Sequence, residues 1–307
     1  MTAATGVQAE AELGRLSALV GSSVIGAERP AWGFANRTTI VTLLDGRRWV
    51  VQELQDPVAG RAVAARARLL ADRLTAKGVP VPAVVIADAS ATRPLLVTEF
   101  VSGQLGPTLL GTDREAAALG SLMGATQRRL AAIDAKGLRL PTTWAKPERL
   151  AAVSRLRLAR VAGRLERRTT GAVEQAIEEH AGRPLLGPPV FAHGDFAPAN
   201  VIVVHDRLAA LIDFEYARLA HPLFDAATFH WLTFHFHPAR AEAAWAAFAE
   251  AAGLPATVDG QSLGAALGRL RLLRILELVE VAGRRGPAMR DRWLSLLAAA
   301  AISPPGA

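Results

Sequence analysis

The chain contains 307 residues, of which 51% are hydrophobic, so it can bury a large core, and we expect it to divide into two lobes. It has no cysteine, which excludes disulfide bonds and thiolate metal sites. The formal net charge is +7, but the basic runs show neither interleaved aromatic residues nor a known nucleic-acid-binding module, so we expect no nucleic-acid partner.

The N-terminal segment lacks the basic and apolar regions of a signal peptide. No apolar stretch approaches the roughly 20 residues that a membrane-spanning helix requires. We therefore expect a cytoplasmic protein with no membrane partner. Much of the positive charge falls in two helical runs, RAVAARARLLADRL at 61–74 and RLRLARVAGRLERR at 155–168. We expect these runs to form solvent-exposed helix faces.

In chain order, the first predicted element is a short amphipathic helix at residues 8–20. A turn-rich stretch, Gly26–Arg37, separates it from two strand-like runs, Thr38–Leu44 and Trp49–Gln52. The alternation of apolar and polar residues in these runs, with a Gly-Arg turn between them, predicts a strand–loop–strand unit.

A helix is predicted next, at Gly60–Leu74, followed by strands at Ala83–Ile86 and Leu95–Val101. Beyond residue 101 the pattern is mostly helical. The helical regions are predicted at 112–135, 148–181, 222–252 and 262–284. The elements therefore predict an α+β chain, with a β-rich region at residues 1–101 and a larger helical region at residues 102–307.

The most informative segment is VFAHGDFAPANVIVVHDRLAALIDFE, at 190–215. Asp195 follows His-Gly, Asn200 lies five residues later, and Asp213 follows a short run of apolar residues. This is the order and spacing of a kinase catalytic loop and its metal-binding strand. Phosphoryl transfer needs a carboxylate to accept the proton of the attacking hydroxyl. It also needs oxygen ligands that hold Mg²⁺ against the nucleotide phosphates.

Two apolar runs in this segment, Val201–Val204 and Leu208–Ile212, are separated by His-Asp-Arg and predict a β-hairpin. Such a hairpin would bring Asn200 and Asp213 side by side, as two ligands of one cation require. The alternative is that Asp195 caps a helix and Asp213 ends a strand at the surface. The combined spacing and the intervening hairpin favour the kinase interpretation.

The sequences HGDFAPAN and IDFE resemble those of the aminoglycoside phosphotransferase family, the small-molecule kinase branch of the protein-kinase-like fold. The resemblance extends from about Trp32 to about Trp245. It implies a bilobal fold with a small N-terminal β-rich lobe at 1–101, which binds the nucleotide. The larger helical C-terminal lobe at 102–307 then carries the catalytic and acceptor-binding residues. It also implies ATP or GTP as phosphoryl donor, Mg²⁺ as cofactor and a small hydroxylated acceptor.

The resemblance also assigns roles to individual residues. Asp195 corresponds to the catalytic base, and Asn200 and Asp213 correspond to the magnesium ligands. His193 would brace the loop. Asp225 matches an aspartate that holds the backbone of the catalytic loop, although an ordinary helix N-cap is an equally good interpretation of this residue.

For the nucleotide, the resemblance points to Gly33, Asn36 and Arg37, in a loop whose backbone amides approach phosphate. A plain hairpin is the alternative for this loop. The backbone at Glu99 and Val101 would meet the nucleotide base at the hinge.

Gln52 departs from the family pattern. The family usually has lysine or arginine at this strand position, paired with a glutamate on the next helix. The predicted helix at 60–74 contains no glutamate, so both partners of the ion pair are missing together. Either Gln52 donates a hydrogen bond to phosphate while an arginine supplies the charge, or activity is reduced or absent.

Two groups of residues are candidates for an acceptor pocket. Glu215 and Tyr216 follow the metal-binding aspartate and face the cleft in this type of fold, although solvation alone would also explain Glu215. The aromatic segment at 229–238 contains His230, Trp231 and His235. A packed helix, a lining for a bulky acceptor and, with His237 added, a zinc site remain open for that segment.

Together these features predict an ATP- or GTP-dependent phosphotransferase acting on a hydroxyl of a small molecule. An antibiotic is the favoured acceptor, of the nucleoside, macrolide or aminoglycoside type, and a sugar or amino alcohol is the alternative. A catalytically weak nucleotide-binding pseudokinase is the alternative of another class. The expected partners are the acceptor and a nucleoside triphosphate, and the protein is expected to be a monomer or a homodimer.

Overall fold

The computed structural model describes residues 2–30, 36–90, 92–183, 187–258, 260–283 and 286–302. The chain forms two compact units. The first comprises Met1–Gln104, Lys136–Arg139 and Val201–Glu215. The second comprises Leu105–Ala135, Leu140–Asn200 and Tyr216–Ala307. The first unit thus takes in residues 201–215, which lie within the predicted second domain, and the boundary at 101/102 stays a prediction.

The strands are β1 (Val24–Glu28), β2 (Arg37–Leu43), β3 (Arg48–Glu53), β4 (Val84–Asp88), β5 (Leu95–Glu99), β6 (Gln104–Leu105), β7 (Val190–Ala192), β8 (Val201–Val204), β9 (Arg207–Leu211), β10 (Arg218–Ala220), β11 (Thr257–Val258) and β12 (Gln261–Ser262). The α-helices are α1 (Thr2–Val20), α2 (Pro57–Ala76), α3 (Asp113–Ala131), α4 (Pro147–Val161), α5 (Arg167–Ala181), α6 (Phe224–Phe236), α7 (Ala241–Ala252), α8 (Leu263–Gly283) and α9 (Pro287–Ile302).

The first unit is built on an antiparallel sheet with the strand order β1-β2-β3-β5-β4. Residues alternate between buried and partly exposed along β2 and β3, so one face of the sheet carries the core. Leu16 and Val20 of α1 are buried in the same cluster as Val41, Val51 and Val97 of the sheet. Each such side chain contributes about 1.5–3 kcal/mol when fully buried.

Helix α2 begins at Pro57, directly after its N-cap Asp56, whose carboxylate accepts from the N–H groups of Val58 and Ala59. Proline is suited to this position because its missing N–H would have no partner within the helix. The buried residues of α2 recur at helical spacing. They are Gly60, Val63, Ala64, Arg66, Leu70 and Leu74. An arginine therefore lies on the apolar face of this helix.

Strands β8 and β9 form the predicted hairpin, and Val201 pairs with Leu211. His205 and Asp206 at its turn have φ of 49° and 59°, as a tight hairpin turn requires. The hairpin is anchored within the first unit because Leu211 N–H donates to the carbonyl of Pro80 at 2.9 Å. At its open end, Asn200 precedes the first strand and Asp213 follows the second.

The second unit is mainly helical. Helix α3 starts with a capping box, in which Thr112 and Glu115 each bind the backbone of the other. Helices α3 and α7 pack so closely that a Cβ atom at Gly120 would lie 2.0 Å from the carbonyl oxygen of Ala244. Glycine is therefore required at this crossing. The rings of Phe229 and Phe248 stack nearby with centroids 4.3 Å apart.

The α+β prediction is confirmed, with the sheet in the N-terminal part and most helices in the C-terminal part. Several details differ from the sequence prediction, among them the short strands β6, β10, β11 and β12, which were not predicted. The stretch predicted as turns begins with strand β1, and helix α9 was not predicted. The predicted helical regions 148–181 and 222–252 each divide into two α-helices. In the part of the chain that the structure describes, no helix is both long and apolar enough to cross a membrane.

Candidate active site

The loop that follows β7 contains the His-Gly-Asp sequence, and a single buried carboxylate holds its backbone. The N–H groups of His193 and Gly194 donate to Asp225 Oδ2 and Oδ1 at 2.7 and 3.0 Å. Asp225 lies inside α6, whose N-cap is Leu223. Burial raises the pKa of the Asp225 carboxyl, while His193 and the two backbone donors act in the opposite direction. These bonds fix the entry of the chain into the loop.

Gly194 has a left-handed φ of +91°, and a Cβ atom there would lie 2.0 Å from the carbonyl oxygen of Tyr216. Any side chain at this position would therefore collide with backbone that cannot move freely. Glycine allows the loop to bend sharply against the segment that precedes β10. The bend places Asp195 at a partly exposed position, two residues after the fully buried His193.

Asp195 and Asn200 contact each other across the loop. Asn200 Nδ2 donates to the backbone oxygen of Asp195 at 2.8 Å and to its Oδ2 at 3.2 Å. The N–H of Asp195 donates to His193 Nδ1 at 3.2 Å. Both side-chain bonds of Asn200 use its amide nitrogen, so its amide oxygen is the atom suited to bind a cation. The buried His193 thus braces the residue that carries the predicted catalytic carboxylate.

A second buried network supports the same loop from α8. Glu277 accepts hydrogen bonds from Arg218 Nη1 at 2.9 Å, from Arg274 Nη1 at 2.5 Å and from Trp144 Nε1 at 3.2 Å. Arg157 Nη2 lies 3.4 Å from its other oxygen. Burial alone would raise the pKa of Glu277, but the guanidinium groups of Arg218, Arg274 and Arg157 outweigh it and lower the pKa. We call these four charged residues the Glu277 cluster.

The Glu277 cluster reaches the catalytic loop through its arginines. Arg274 Nη2 donates to the carbonyl of Gly194 at 2.9 Å, and Arg218 Nε donates to the carbonyl of Tyr216 at 2.9 Å. Arg218, Arg274 and Glu277 were not predicted as site residues. The available signal was an Arg-x-x-Glu pair, Arg274 and Glu277, within the leucine-rich helix α8. The expectation that the run 155–168 is solvent-exposed is also wrong for Arg157, whose side chain is 12% exposed.

In the first unit, Asp213 follows β9 and has φ of +68°. A non-glycine residue in this left-handed region is uncommon, and such strain is concentrated at functional sites. Asp213 and Glu215 are both partly buried. The structure thus places Asp213 where the hairpin prediction expected it, directly beyond the second strand.

Two predicted site residues contact each other within the first unit. Asn36 Nδ2 donates to Glu215 Oε2 at 2.5 Å, and the N–H of Gln55 donates to Asn36 Oδ1 at 3.1 Å. Asn36 was predicted near phosphate and Glu215 near the acceptor. Their contact links the start of β2 to the segment after Asp213.

Arg37 and Gln52, which were also predicted to bind the nucleotide, have other neighbours. Arg37 forms ion pairs with Glu12 of α1 and Glu53 of β3. Gln52 is partly exposed on β3, where it pairs with Thr38 and Leu96 in the sheet. These positions support a structural role for Arg37 and leave the role of Gln52 as a prediction.

The hinge prediction concerned the backbone at Glu99 and Val101. The N–H of Glu99 donates to the carbonyl of Ala83 at 2.9 Å, and Val101 lies beyond the end of β5. The role of both residues stays a prediction. Gly33 lies outside the described residues.

The predicted acceptor residues on α6 are largely packed. His230 stacks on Phe234 and meets Trp245 edge-on, with centroids 4.4 and 4.7 Å apart. Burial, and secondarily Arg271, lower the pKa of His230 to about 4. Trp231 is 6% exposed and packs near Trp293, whereas His235 is exposed. The ring of Tyr216 lies beneath Arg274 at 5.3 Å. These contacts favour the packed-helix interpretation of 229–238.

No group of three or more histidine, aspartate or glutamate side chains within the described ranges is arranged to hold a metal ion. The zinc interpretation of His230, His235 and His237 therefore has no geometric support among these residues.

A sharply bent His-Gly-Asp loop, held by a helix carboxylate and followed by a hairpin and an aspartate, defines a kinase-like phosphotransferase. The chain belongs to the phosphotransferase enzyme family (APH), whose profile matches residues 26–257. It is a small-molecule phosphotransferase, as the sequence motif predicted. No curated protein sequence matches the chain significantly.

Solved structures with a similar fold cover nearly the whole chain. Macrolide 2'-phosphotransferase MphH from Brachybacterium faecium is 23% identical, with a TM-score of 0.67, covering 96% of this chain and 99% of its own. The GDP and kanamycin complex of APH(2")-IIIa is 17% identical, with a TM-score of 0.73 and coverages of 94% and 98%. A thermostable mutant of aminoglycoside phosphotransferase APH(4)-Ia, in a ternary complex with ADP and hygromycin B, is 17% identical. Its TM-score is 0.66, with coverages of 96% and 99%.

At these identities the similarity establishes the fold. The family prediction and the kinase-like fold prediction are both confirmed. The individual roles of Asp195, Asn200 and Asp213 stay predictions.

Proposed function

We propose that this protein transfers the γ-phosphoryl group of ATP or GTP to a hydroxyl of a small molecule, and that the acceptor is an antibiotic. The observation that carries the proposal is the His193–Asn200 loop. Asp225 accepts hydrogen bonds from the backbone of this loop, and the side-chain amide of Asn200 donates to Asp195. A loop that served only as a connection would not need a buried carboxylate to fix it.

Asp195 is the residue that we assign as general base. As the acceptor hydroxyl attacks the γ-phosphorus, its proton passes to the Asp195 carboxylate and the new oxygen–phosphorus bond forms. The bond between the γ-phosphorus and the bridging oxygen breaks, and the nucleoside diphosphate leaves with the bonding electron pair. The contact with Asn200 Nδ2 orients the carboxylate before substrate binds.

Asn200 and Asp213 are the residues that would hold Mg²⁺. Their carboxylate and amide oxygens are the hard ligands that this cation prefers, and Asn200 uses its nitrogen for the contact with Asp195. When bound, Mg²⁺ neutralises negative charge on the phosphate groups. Asn200 and Asp213 flank the β8–β9 hairpin in the sequence, next to its end pair Val201 and Leu211.

The structural neighbours support a nucleotide donor and an antibiotic acceptor, since they include complexes with GDP and kanamycin and with ADP and hygromycin B. The formal charge of +7 disfavours a polycationic aminoglycoside, because like charges reduce recruitment. We therefore favour a macrolide or another weakly charged hydroxylated compound. A sugar or amino alcohol is the second acceptor class.

A pseudokinase is the competing function, and Gln52 is the observation that favours it. The family position normally carries a cation, and the side chain of Gln52 has none. A pseudokinase would bind nucleotide without releasing diphosphate in response to any acceptor.

The test is mass spectrometry of macrolides, aminoglycosides, nucleoside-type antibiotics, sugars and amino alcohols incubated with the protein, ATP or GTP, and Mg²⁺. One acceptor is expected to gain a single phosphate group, and Asp195→Asn is expected to lower kcat by roughly 10²–10⁴-fold. Asp206→Asn, in the exposed hairpin turn, is the matched control and should retain activity. If no acceptor gains phosphate and Asp195→Asn leaves nucleotide turnover unchanged, the proposed function is wrong.

A further inference from the structure

The buried guanidinium of Arg66 has no carboxylate partner in the part of the chain that the structure describes. Arg66 lies on the apolar face of α2 and is 7% exposed. Its Nε contacts no acceptor among the residues that the structure describes. Within the described ranges it makes a single hydrogen bond, from Nη2 to the backbone carbonyl of Glu215, at a long 3.4 Å. The expectation that the run 61–74 is solvent-exposed is therefore wrong at this residue.

A buried cation in this state is energetically unfavourable, because it has lost water without gaining an opposite charge. Burial lowers the pKa of Arg66, in agreement with that cost. The hydrogen bond from Arg66 goes to the main-chain carbonyl of Glu215, while the carboxylate oxygen Oε2 of Glu215 accepts from Asn36. A bound anionic ligand would supply the opposite charge that Arg66 needs.

The position of Arg66 indicates which anion this is. The carbonyl that Arg66 contacts belongs to the second residue after Asp213, the proposed ligand of the magnesium ion. A nucleotide whose phosphates share a cation with Asp213 would bring negative charge to this segment. Arginine suits such a ligand, since its planar donors match phosphate oxygens in pairs.

We infer that Arg66 binds the phosphate groups of the donor nucleotide and supplies the positive charge that Gln52 does not. This inference rests on the proposed function. It explains why a helix that lacks the expected glutamate carries a buried arginine instead. A glutamine on the strand can then coexist with full phosphoryl-transfer activity.

The test compares a nucleoside with its diphosphate, because the two ligands differ only in the groups that Arg66 should contact. Dissociation constants are measured by calorimetry for adenosine and ADP, and for guanosine and GDP, at fixed Mg²⁺. In Arg66→Met the preference for diphosphate over nucleoside should fall by about ten- to hundredfold, the usual loss of a charge-assisted hydrogen bond. Nucleoside binding should remain unchanged.

Arg68→Met is the matched control. Arg68 lies on the same helix and is exposed, and its guanidinium donates to the carbonyls of Val84 and Val85. The charge change is identical, so a loss of diphosphate preference in both variants would indicate a general electrostatic effect and would overturn the assignment. Arg66→Lys keeps the charge without the paired donors and should retain part of the preference.

Thermal unfolding gives a second, independent measurement. Without nucleotide, Arg66→Met should be more stable than the wild type, with Tm higher by about 2–4 °C, because an unpaired buried charge is removed. With saturating diphosphate, the wild type should gain more stability than the variant. An Arg66 that served only the fold would give the opposite sign in the free protein.

The outcomes separate the two proposals. If the wild type binds neither diphosphate in preference to its nucleoside, the proposed function itself fails. If the wild type shows that preference and Arg66→Met retains it within about threefold, a change of less than about 0.7 kcal/mol, only the assignment of Arg66 fails.

Discussion

Buried arginines occur in both units, but their surroundings differ. In the second unit, Arg218 and Arg274 each contact the carboxylate of Glu277, and both also donate to backbone carbonyls at the catalytic loop. In the first unit, Arg66 is equally buried, 7% exposed as against 7% and 3%, and has no carboxylate within reach among the described residues. Burial of a guanidinium is therefore not informative by itself.

The two regions differ in what neutralises the positive charge, which is the folded chain in the second unit and, by our inference, a bound ligand in the first. The Glu277 cluster is neutralised by the folded chain, so its arginines are fixed and can hold Gly194 and Tyr216 in place. Among the described residues, Arg66 contacts no carboxylate and its Nε has no acceptor, which is the state expected of a residue that binds an anionic ligand. Mutations should accordingly affect stability and loop geometry in the first case, and ligand binding in the second.

The largest effect should come from Glu277→Gln. This change leaves the guanidinium groups of Arg157, Arg218 and Arg274 without their shared carboxylate, and we expect it to reduce the free energy of unfolding by about 3–5 kcal/mol. Chemical denaturation measures the loss. Glu28→Gln is the control, since its ion pair with Arg48 is exposed and should contribute less than about 1 kcal/mol. Equal losses in the two variants would contradict the distinction between buried and exposed pairs.

Arg274→Met should mainly affect catalysis. Because Arg274 positions the carbonyl of Gly194 beside Asp195, we expect kcat to fall by roughly ten- to hundredfold, with little change in the KM for nucleotide. Arg157→Met is the matched control, as the ion pairs of Arg157 within the described residues are with Glu277 and Glu280 on α8 and not with the loop. Steady-state kinetics well below the Tm of both variants makes the comparison. A similar loss of kcat in Arg157→Met would indicate that the whole cluster acts through stability alone.

A smaller effect is expected in the acid dependence of stability. The pKa of Glu277 in the folded protein lies below its ordinary value of 4.5, so in acid the unfolded chain binds a proton that the folded protein does not. Its contribution is therefore complete above pH 4.5 and is lost as pH falls through the folded pKa, at about 1.4 kcal/mol per pH unit.

The free energy of unfolding, measured from pH 6 downwards, should show this slope in the wild type and in Arg66→Met. In Glu277→Gln it should fall less steeply below pH 4.5. The buried His180, His221 and His230, with pKa lowered to about 4, add a loss that begins below 6.5 and is common to all three proteins. Parallel curves for the wild type and Glu277→Gln would show that Glu277 is not ionised in the folded protein.

The chemistry near the transferred phosphate could be predicted from local sequence. Asp195, Asn200 and Asp213 lie within one segment, and the hairpin that connects them has a strand pattern and a turn that are both visible in the sequence. The helices were located by their periodicity, and the errors fell where a break such as 162–166 was too short to interrupt it. Strand β1 was missed because its residues are mostly exposed and its glycine suggested a turn.

The sequence alone determined the fold class, the family and the order of the catalytic residues, because these depend on periodicity and on spacing along the chain. Only the tertiary structure decided which charged residues are paired. Gly194 meets Arg274 80 positions away, and Asn36 meets Glu215 179 positions away. The sequence predicted a solvent-exposed face for the run that contains Arg66, and the structure showed both its burial and its lack of a carboxylate partner among the described residues. Electrostatic neutralisation is a property of distances in space, and that is why it was not visible in the sequence.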